Sequence, residues 1–243
     1  MSSMSRRRAL KFIGGAVSVL AGCGRDASKS IGSISQATAS TARTPACVVR
    51  PEQTEGPYFV DEKLNRSDLR IDPSDRSTKP GVPLRMEFQV SRVKGDACAP
   101  LDGAIVDVWH CDALGYYSDV RDGGFDTRGK MFLRGYQTTN AQGVAQFMTI
   151  YPGWYVGRAV HIHFKIRSAV LGAPALEFTS QLYFDEAVTD QVLKLAPYDG
   201  KNGRRVRNDD DVIFRNGGKQ LLVTPTKDSR AYAAKFEIGL QLS

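Results

Sequence analysis

The sequence predicts an all-β fold, an antiparallel β-sandwich with long loops and little helix. Three observations carry this. Several segments alternate strictly between apolar and polar residues, Gly, Pro, Asn and Asp punctuate the intervals, and only 186–195 has helical character. Successive strand side chains point to opposite faces, so period-two patterning marks a half-buried strand. Leu84, Met86, Phe88 and Val90 alternate with Arg85, Glu87, Gln89 and Ser91. Near the C-terminus Tyr232, Ala234, Phe236, Ile238, Leu240 and Leu242 alternate with mostly polar partners. Shorter strand segments are 104–109, 144–150, 160–166, 178–184 and 221–224, with turn residues at 140–143 and 216–218. Many short strands separated by turns argue for a sandwich.

A chain of 243 residues holds one β-rich domain or two small ones, and neither an internal repeat nor a second domain is visible. The formal charge of +7 would suit nucleic acid, an anionic membrane surface or an acidic substrate. The basic residues are nevertheless scattered, apart from Arg6-Arg7-Arg8 and the 201–207 run. No nucleic-acid module is readable, so no nucleic-acid partner is expected.

The first 23 residues have the layout of an export signal: a basic start, an apolar stretch from 12 to 21, then small residues. The apolar stretch is too short to span a bilayer. SRRRALK resembles the twin-arginine export motif, with Ala9 where that motif usually carries Phe. LAGC, ending at Cys23, resembles the lipobox of bacterial lipoproteins, where the Cys thiol takes a lipid. Residues 24–45, rich in Ser, Ala and Thr, read as a flexible tether. The folded domain is then 46–243. The expected location is the periplasm or the cell surface, with a lipid anchor at Cys23 as the only membrane contact. In an oxidising compartment Cys47, Cys98 and Cys111 would form one disulfide and leave one thiol, with the pairing open.

Candidate chemistry lies in a short central segment. Two of only three histidines are His161 and His163, in AVHIHFKI. Strand residues two apart share a face about 7 Å apart. Val160, Ile162, Phe164 and Ile166 would therefore face the core, and both imidazoles would project to the other side, where they can converge on one metal ion. Upstream, Pro152-Gly153 makes a turn and Tyr155 follows, six residues before His161. Further back, Gly115 opens a loop carrying Tyr116 and Tyr117. A tyrosine ligand must lose a proton with an ordinary pKa near 10. A hard, strongly Lewis-acidic ion such as ferric iron favours that loss. Residue type alone does not select two ligands from nine tyrosines. A ferrous facial triad of His161, His163 and a carboxylate such as Asp107 or Asp112 is the competing metal site. His110, after the Trp109 strand end, reads as structural or as support for the ligands, with an auxiliary ligand as the lesser reading.

The segments GAIVDVWH, Gly115-Tyr116-Tyr117, Pro152-Gly153-x-Tyr155 and His161-Ile-His163-Phe resemble the intradiol ring-cleavage dioxygenases, the family of protocatechuate 3,4-dioxygenase and catechol 1,2-dioxygenase. The likeness runs from about residue 52 to at least 184 and is closer to protocatechuate-type and exported single-domain members. It implies a non-haem Fe(III) held by Tyr117, Tyr155, His161 and His163. It also implies Arg158 as a stabiliser of negative charge on the ring, Gln181 as a residue orienting Arg158 or the substrate, and 54–59 beside the site. Tyr155 is implied to leave the metal and accept a substrate proton. The implied reaction takes a catecholic aromatic and O2 and cleaves between the two hydroxylated carbons to a muconate-type diacid, in a chain that can form a homo-oligomer. The reading from another class is a non-catalytic, ligand-binding β-sandwich lipoprotein.

Overall fold

The computed structural model describes residues 47–168, 175–228 and 231–241. The export signal, the tether, Cys23 and Leu242 lie outside the described residues.

Two five-stranded sheets form the body. The first orders β11 (Thr226–Lys227), β12 (Tyr232–Gln241), β1 (Pro83–Lys94) and β2 (Ala97–Pro100), with β7 (Val144–Ile150) also paired to β1. The second orders β10 (Leu222–Val223), β9 (Leu176–Phe184), β8 (His161–Ser168), β3 (Ile105–Trp109) and β6 (Arg134–Thr138). β4 (Arg121–Asp122) and β5 (Phe125–Asp126) make a separate small hairpin. Leu84, Met86, Phe88 and Val90 of β1 are buried, as their alternation requires. They meet Ile162, Phe164 and Ile166 of β8 in one core cluster. Phe164 links the layers, its ring centroid 5.4 Å from both Phe88 and Phe236. Each such side chain contributes about 1.5–3 kcal/mol on burial.

One expectation needs refinement. Most strand pairs are antiparallel, but β1 and β12 run parallel, Leu84 opposite Tyr232 through Val93 opposite Gln241, and β9 and β10 are also parallel. Alternation reports which face is buried and carries no information on strand direction. The helical stretch forms α1 (Glu186–Val192), N-capped by the Asp185 carboxylate. A second short helix, α2 (Val212–Arg215), is capped by Asp211 and is too brief to show a period. Cys47 pairs with Cys98, and Cys111 remains a buried thiol.

The two faces of β8 are both covered. His161 and His163 point away from the sandwich core yet are only 2% and 1% exposed. The loops around Gly56, Tyr117 and Tyr155 close over them, which turns the outer face of this sheet into an interior site.

Candidate metal centre

His161 sits on β8 opposite Tyr183 of β9, and His163 lies between Gln181 of β9 and Trp109 of β3. The Trp109 indole stacks on His163 at 5.0 Å and 10°, fixing that ring's plane. His161 Nδ1 donates to the Ala159 carbonyl at 2.6 Å, so its Nε2 presents a lone pair inward. Around that atom lie the hydroxyl oxygens of Tyr117 at 3.3 Å and Tyr155 at 3.2 Å, and His163 Nε2 at 3.0 Å. The Arg158 Nη1 lies at 3.5 Å. One lone pair cannot serve four polar neighbours. Two donors about 2.0–2.1 Å from one first-row ion, about 100° apart, sit about 3.1–3.2 Å from each other. The observed spacings match that figure. His163 Nδ1 is buried with no hydrogen-bond partner among the described residues.

Burial sets the protonation of these groups. It pushes His161 down to about 3, helped by the positive Arg158, and His163 well below its ordinary value. Both imidazoles are therefore neutral and free to bind a metal. Burial raises the Tyr117 phenol well above its ordinary value, and raises Tyr155 to about 12 against the opposing pull of Arg158. Only a strongly Lewis-acidic cation would ionise both phenols in this setting.

Two tight turns bring the tyrosines in. The Asp112 carboxylate accepts from the Leu114 and Tyr116 amides, each at 3.0 Å, and shapes the loop that delivers Tyr117. Gly115 has φ +89°, and a Cβ there would lie 2.3 Å from the Trp154 carbonyl. A Cβ on Gly153 would lie 2.3 Å from the Ala113 carbonyl. The two loops thus meet backbone to backbone, joined by the Gly153 amide donating to the Asp112 carbonyl at 3.1 Å. Tyr58, from the 54–59 segment, stacks on Tyr117 at 4.5 Å and meets Tyr155 edge-on at 6.3 Å. Its hydroxyl donates to Asp122 of the β4–β5 hairpin.

Arg158 is half-buried and fully engaged. Its Nε donates to Asp211 at 3.0 Å and its Nη2 donates to Gln181 Oε1 and, at 3.4 Å, to Tyr183 Oη. Gln181, wholly buried, donates in turn to the Thr54 carbonyl at 2.8 Å. Gln181 thus joins the Arg158 guanidinium to the 54–59 segment. Tyr58 lies in the 54–59 stretch expected beside the site, whereas Asp211 and Tyr183 were not foreseen as site residues. Tyr183 shares a face of β9 with Gln181, two residues before it, while Asp211 arrives from a distant segment with no local pattern to mark it.

The carboxylates of the competing triad are engaged elsewhere. Asp107 pairs with Arg167 and Asp112 with Lys79, both at 2.8 Å. No three His, Cys, Asp or Glu side chains converge among the described residues. His110 spends Nδ1 on the Cys111 carbonyl and Nε2 on Thr149 Oγ1, and burial lowers it to about 4; it is structural. A groove of about 640 Å³ crosses the outer face of the first sheet beside Arg85, Gln146 and Lys235. Arg85 pairs with Asp228 and Lys235 with Glu237 at its margin, and the groove gathers no comparable donor set.

Fold and site together define a β-sandwich protein with one buried tyrosine, one partly buried tyrosine and two buried histidines around one point. A family model described as a dioxygenase matches residues 54–199. The chain superposes on an intradiol ring-cleavage dioxygenase from Tetranychus urticae with a TM-score of 0.66 at 31% identity, covering 81% of this chain and 95% of that one. The dioxygenase domain of a dioxygenase–carbohydrate-binding protein fusion from Streptomyces sp. SirexAA-E superposes with a TM-score of 0.55 at 27% identity, covering 81% and 100%. Catechol 1,2-dioxygenase 2 of Acinetobacter lwoffii is 32% identical over 152 residues, 56% of this chain and 51% of that enzyme. This chain thus spans about half the length of that curated relative. The chain belongs to the intradiol ring-cleavage dioxygenase family.

Proposed function

We propose that this chain is a non-haem ferric dioxygenase that opens a catecholic ring between its two hydroxylated carbons, with O2, to give a muconate-type diacid. Tyr117, Tyr155, His161 and His163 are the residues that would hold the iron. The observation that carries the reading is the set of two phenol oxygens and one imidazole nitrogen within 3.3 Å of His161 Nε2. Two phenolates balance most of a trivalent charge, and neutral imidazoles complete the set without adding to it. A binding-only lipoprotein would have no use for such donors.

When bound, ferric iron supplies Lewis acidity, stabilising phenolate over phenol and activating a chelated catechol toward dioxygen. The protein's own residues supply the rest. Arg158 eases ionisation of both phenols, but Tyr155 is the less buried and the less raised of the two, so it is the one suited to exchanging a proton with an incoming catechol hydroxyl. Arg158, held by Asp211 and Gln181, presents a fixed cation beside the donors, where it would stabilise negative charge developing on the ring. Burial of Tyr117 and both histidines excludes competing water. The N-terminal motifs extend the proposal to twin-arginine export and lipid attachment at Cys23. The Cys47–Cys98 disulfide fits an oxidising compartment.

The test is oxygen uptake by the iron-loaded protein against a panel of catechols, with the products identified. The expected result is one O2 consumed per ring and a muconate-type diacid. An iron-loaded protein that consumes no O2 with any catechol would leave a binding role in place of the enzyme.

A further inference from the structure

Lys201 lies just beyond a 3-10 turn at Tyr198–Gly200 and outside every motif that marks the metal centre. Its Nζ donates to two backbone carbonyls in different loops, that of Trp154 at 2.6 Å and that of Leu114. Trp154 directly precedes Tyr155, and Leu114 stands three residues before Tyr117. One ammonium thus bridges the two turns that deliver both tyrosines.

The surroundings are built for that bridge. Nζ lies 4.7 Å from the Trp154 ring centroid, a cation–π contact. A Cβ on Gly115 would stand 2.4 Å from Nζ, so the missing side chain at 115 leaves the space the ammonium fills. The stem is anchored too. The Lys201 amide donates to the Tyr198 carbonyl at 3.2 Å. Buried Tyr198 donates its hydroxyl to the Tyr151 carbonyl at 2.6 Å and accepts from the Val82 amide at 3.0 Å. The 198–201 segment therefore grips the Tyr155 loop at both Tyr151 and Trp154. A lysine serving only solubility would leave its ammonium in water, whereas this one is half-buried and spends two N–H groups on carbonyls.

We infer that Lys201 is a positioning residue that clamps the Tyr117 and Tyr155 loops together and so sets the separation of the two phenol oxygens at the metal. The inference rests on the ferric reading given above, since the clamp matters only if both oxygens bind one ion. Support of this kind, one step removed from the ligands, commonly alters metal affinity about 10–100-fold.

The full chain is prepared as wild type, Lys201→Met and Lys201→Arg. Methionine keeps an apolar stem against Trp154 without donors, and arginine restores several. Three measurements are made: iron release to a chelator, the tyrosinate-to-ferric absorption band, and amide hydrogen exchange of the metal-free protein. Lys201→Met should release iron about 10–100-fold faster, shift the band, and speed exchange at 112–117 and 152–156 while β1 and β8 stay protected. Lys201→Arg should recover most of each. Wild-type band and wild-type exchange in Lys201→Met would overturn the clamp. So would faster exchange spread evenly through the sheets with no recovery in Lys201→Arg, which would make Lys201 a general stabiliser. A wild-type protein that takes up no iron would instead sink the ferric reading, and exchange alone would then judge whether the loops are clamped.

Discussion

Arg158 donates from Nε to the Asp211 carboxylate at 3.0 Å across 53 residues of sequence. The same carboxylate oxygen accepts the Ala159 amide at 2.8 Å, and its partner oxygen caps α2 through the Ile213 amide at 2.7 Å. One buried carboxylate therefore fixes the arginine, the entry to β8 and a short helix. Burial alone would raise its pKa, but the Ala159 amide and the Arg158 guanidinium outweigh that and hold it below the usual carboxylate range. Asp211→Asn keeps the size and loses the charge. Turnover is expected to fall about 10–100-fold while bound iron stays near wild type. Unchanged turnover would mean that Gln181 and Tyr183 hold Arg158 well enough without it.

The four donors make separable predictions. Tyr117 is 1% exposed and pinned by Tyr58, so Tyr117→Phe, like His161→Ala, is expected to lose iron, colour and activity together. Tyr155→Phe should keep part of its iron and turn over slowly, because the substrate displaces that oxygen in the proposed reaction. Both phenols hold their protons in the metal-free fold, since burial raises them. Iron must expel those protons, so iron affinity is expected to rise with pH, and each Tyr→Phe should remove one proton from the release. Iron per chain, visible absorption and proton release check this. A red, fully active Tyr117→Phe would strike that residue from the site.

How much of this was legible in sequence follows from the range of each signal. Strand faces were readable because a period of two is local, and β1 buries the residues its alternation names. The parallel pairing of β1 with β12 was not, because it joins residues almost 150 apart. His161 and His163 announce themselves by sharing one face of β8. Tyr117 and Tyr155 were selected by resemblance, and the structure brings both to His161. Tyr58 lies in the 54–59 stretch that the resemblance set beside the site, whereas Asp211 and Lys201 reach it from separate loops, where no spacing rule relates them to β8. Of the three cysteines considered for a disulfide, only the fold could show that Cys111 is sealed beside Trp109 and Tyr117.

The Cys47–Cys98 bond closes a 51-residue separation. On the chain-entropy account, such a loop stabilises by about 4 kcal/mol. The bond ties the entering chain to β2, while Val49 bridges to Gly239 of β12. Neither cysteine contacts the metal centre. Replacing both with Ser is therefore expected to cost about 2–4 kcal/mol in urea unfolding and to leave the visible band unmoved. Equal midpoints with and without the bond would show that the paired β1 and β12 hold this segment unaided.

Acid should loosen the metal-free protein earlier than its carboxylates alone would. Burial lowers His110 to about 4 and His161 to about 3, and holds His163 well below its ordinary value. In the unfolded chain each imidazole takes a proton near pH 6.5. Below that value the unfolded state binds protons the folded state refuses, so the stability present above pH 6.5 drains away as pH falls toward 4. Each histidine contributes a slope of about 1.4 kcal/mol per pH unit in that window. The carboxylate of Asp211, whose folded pKa is depressed, adds its own loss only nearer pH 4 and below. Chemical denaturation of the metal-free protein at pH 7, 6 and 5 measures the slope directly. His110→Gln should flatten it by about a third, since two of the three imidazoles remain. A stability that does not change between pH 7 and pH 5 would mean the buried imidazoles already carry protons, and neutral nitrogens could not then be what the centre offers a metal.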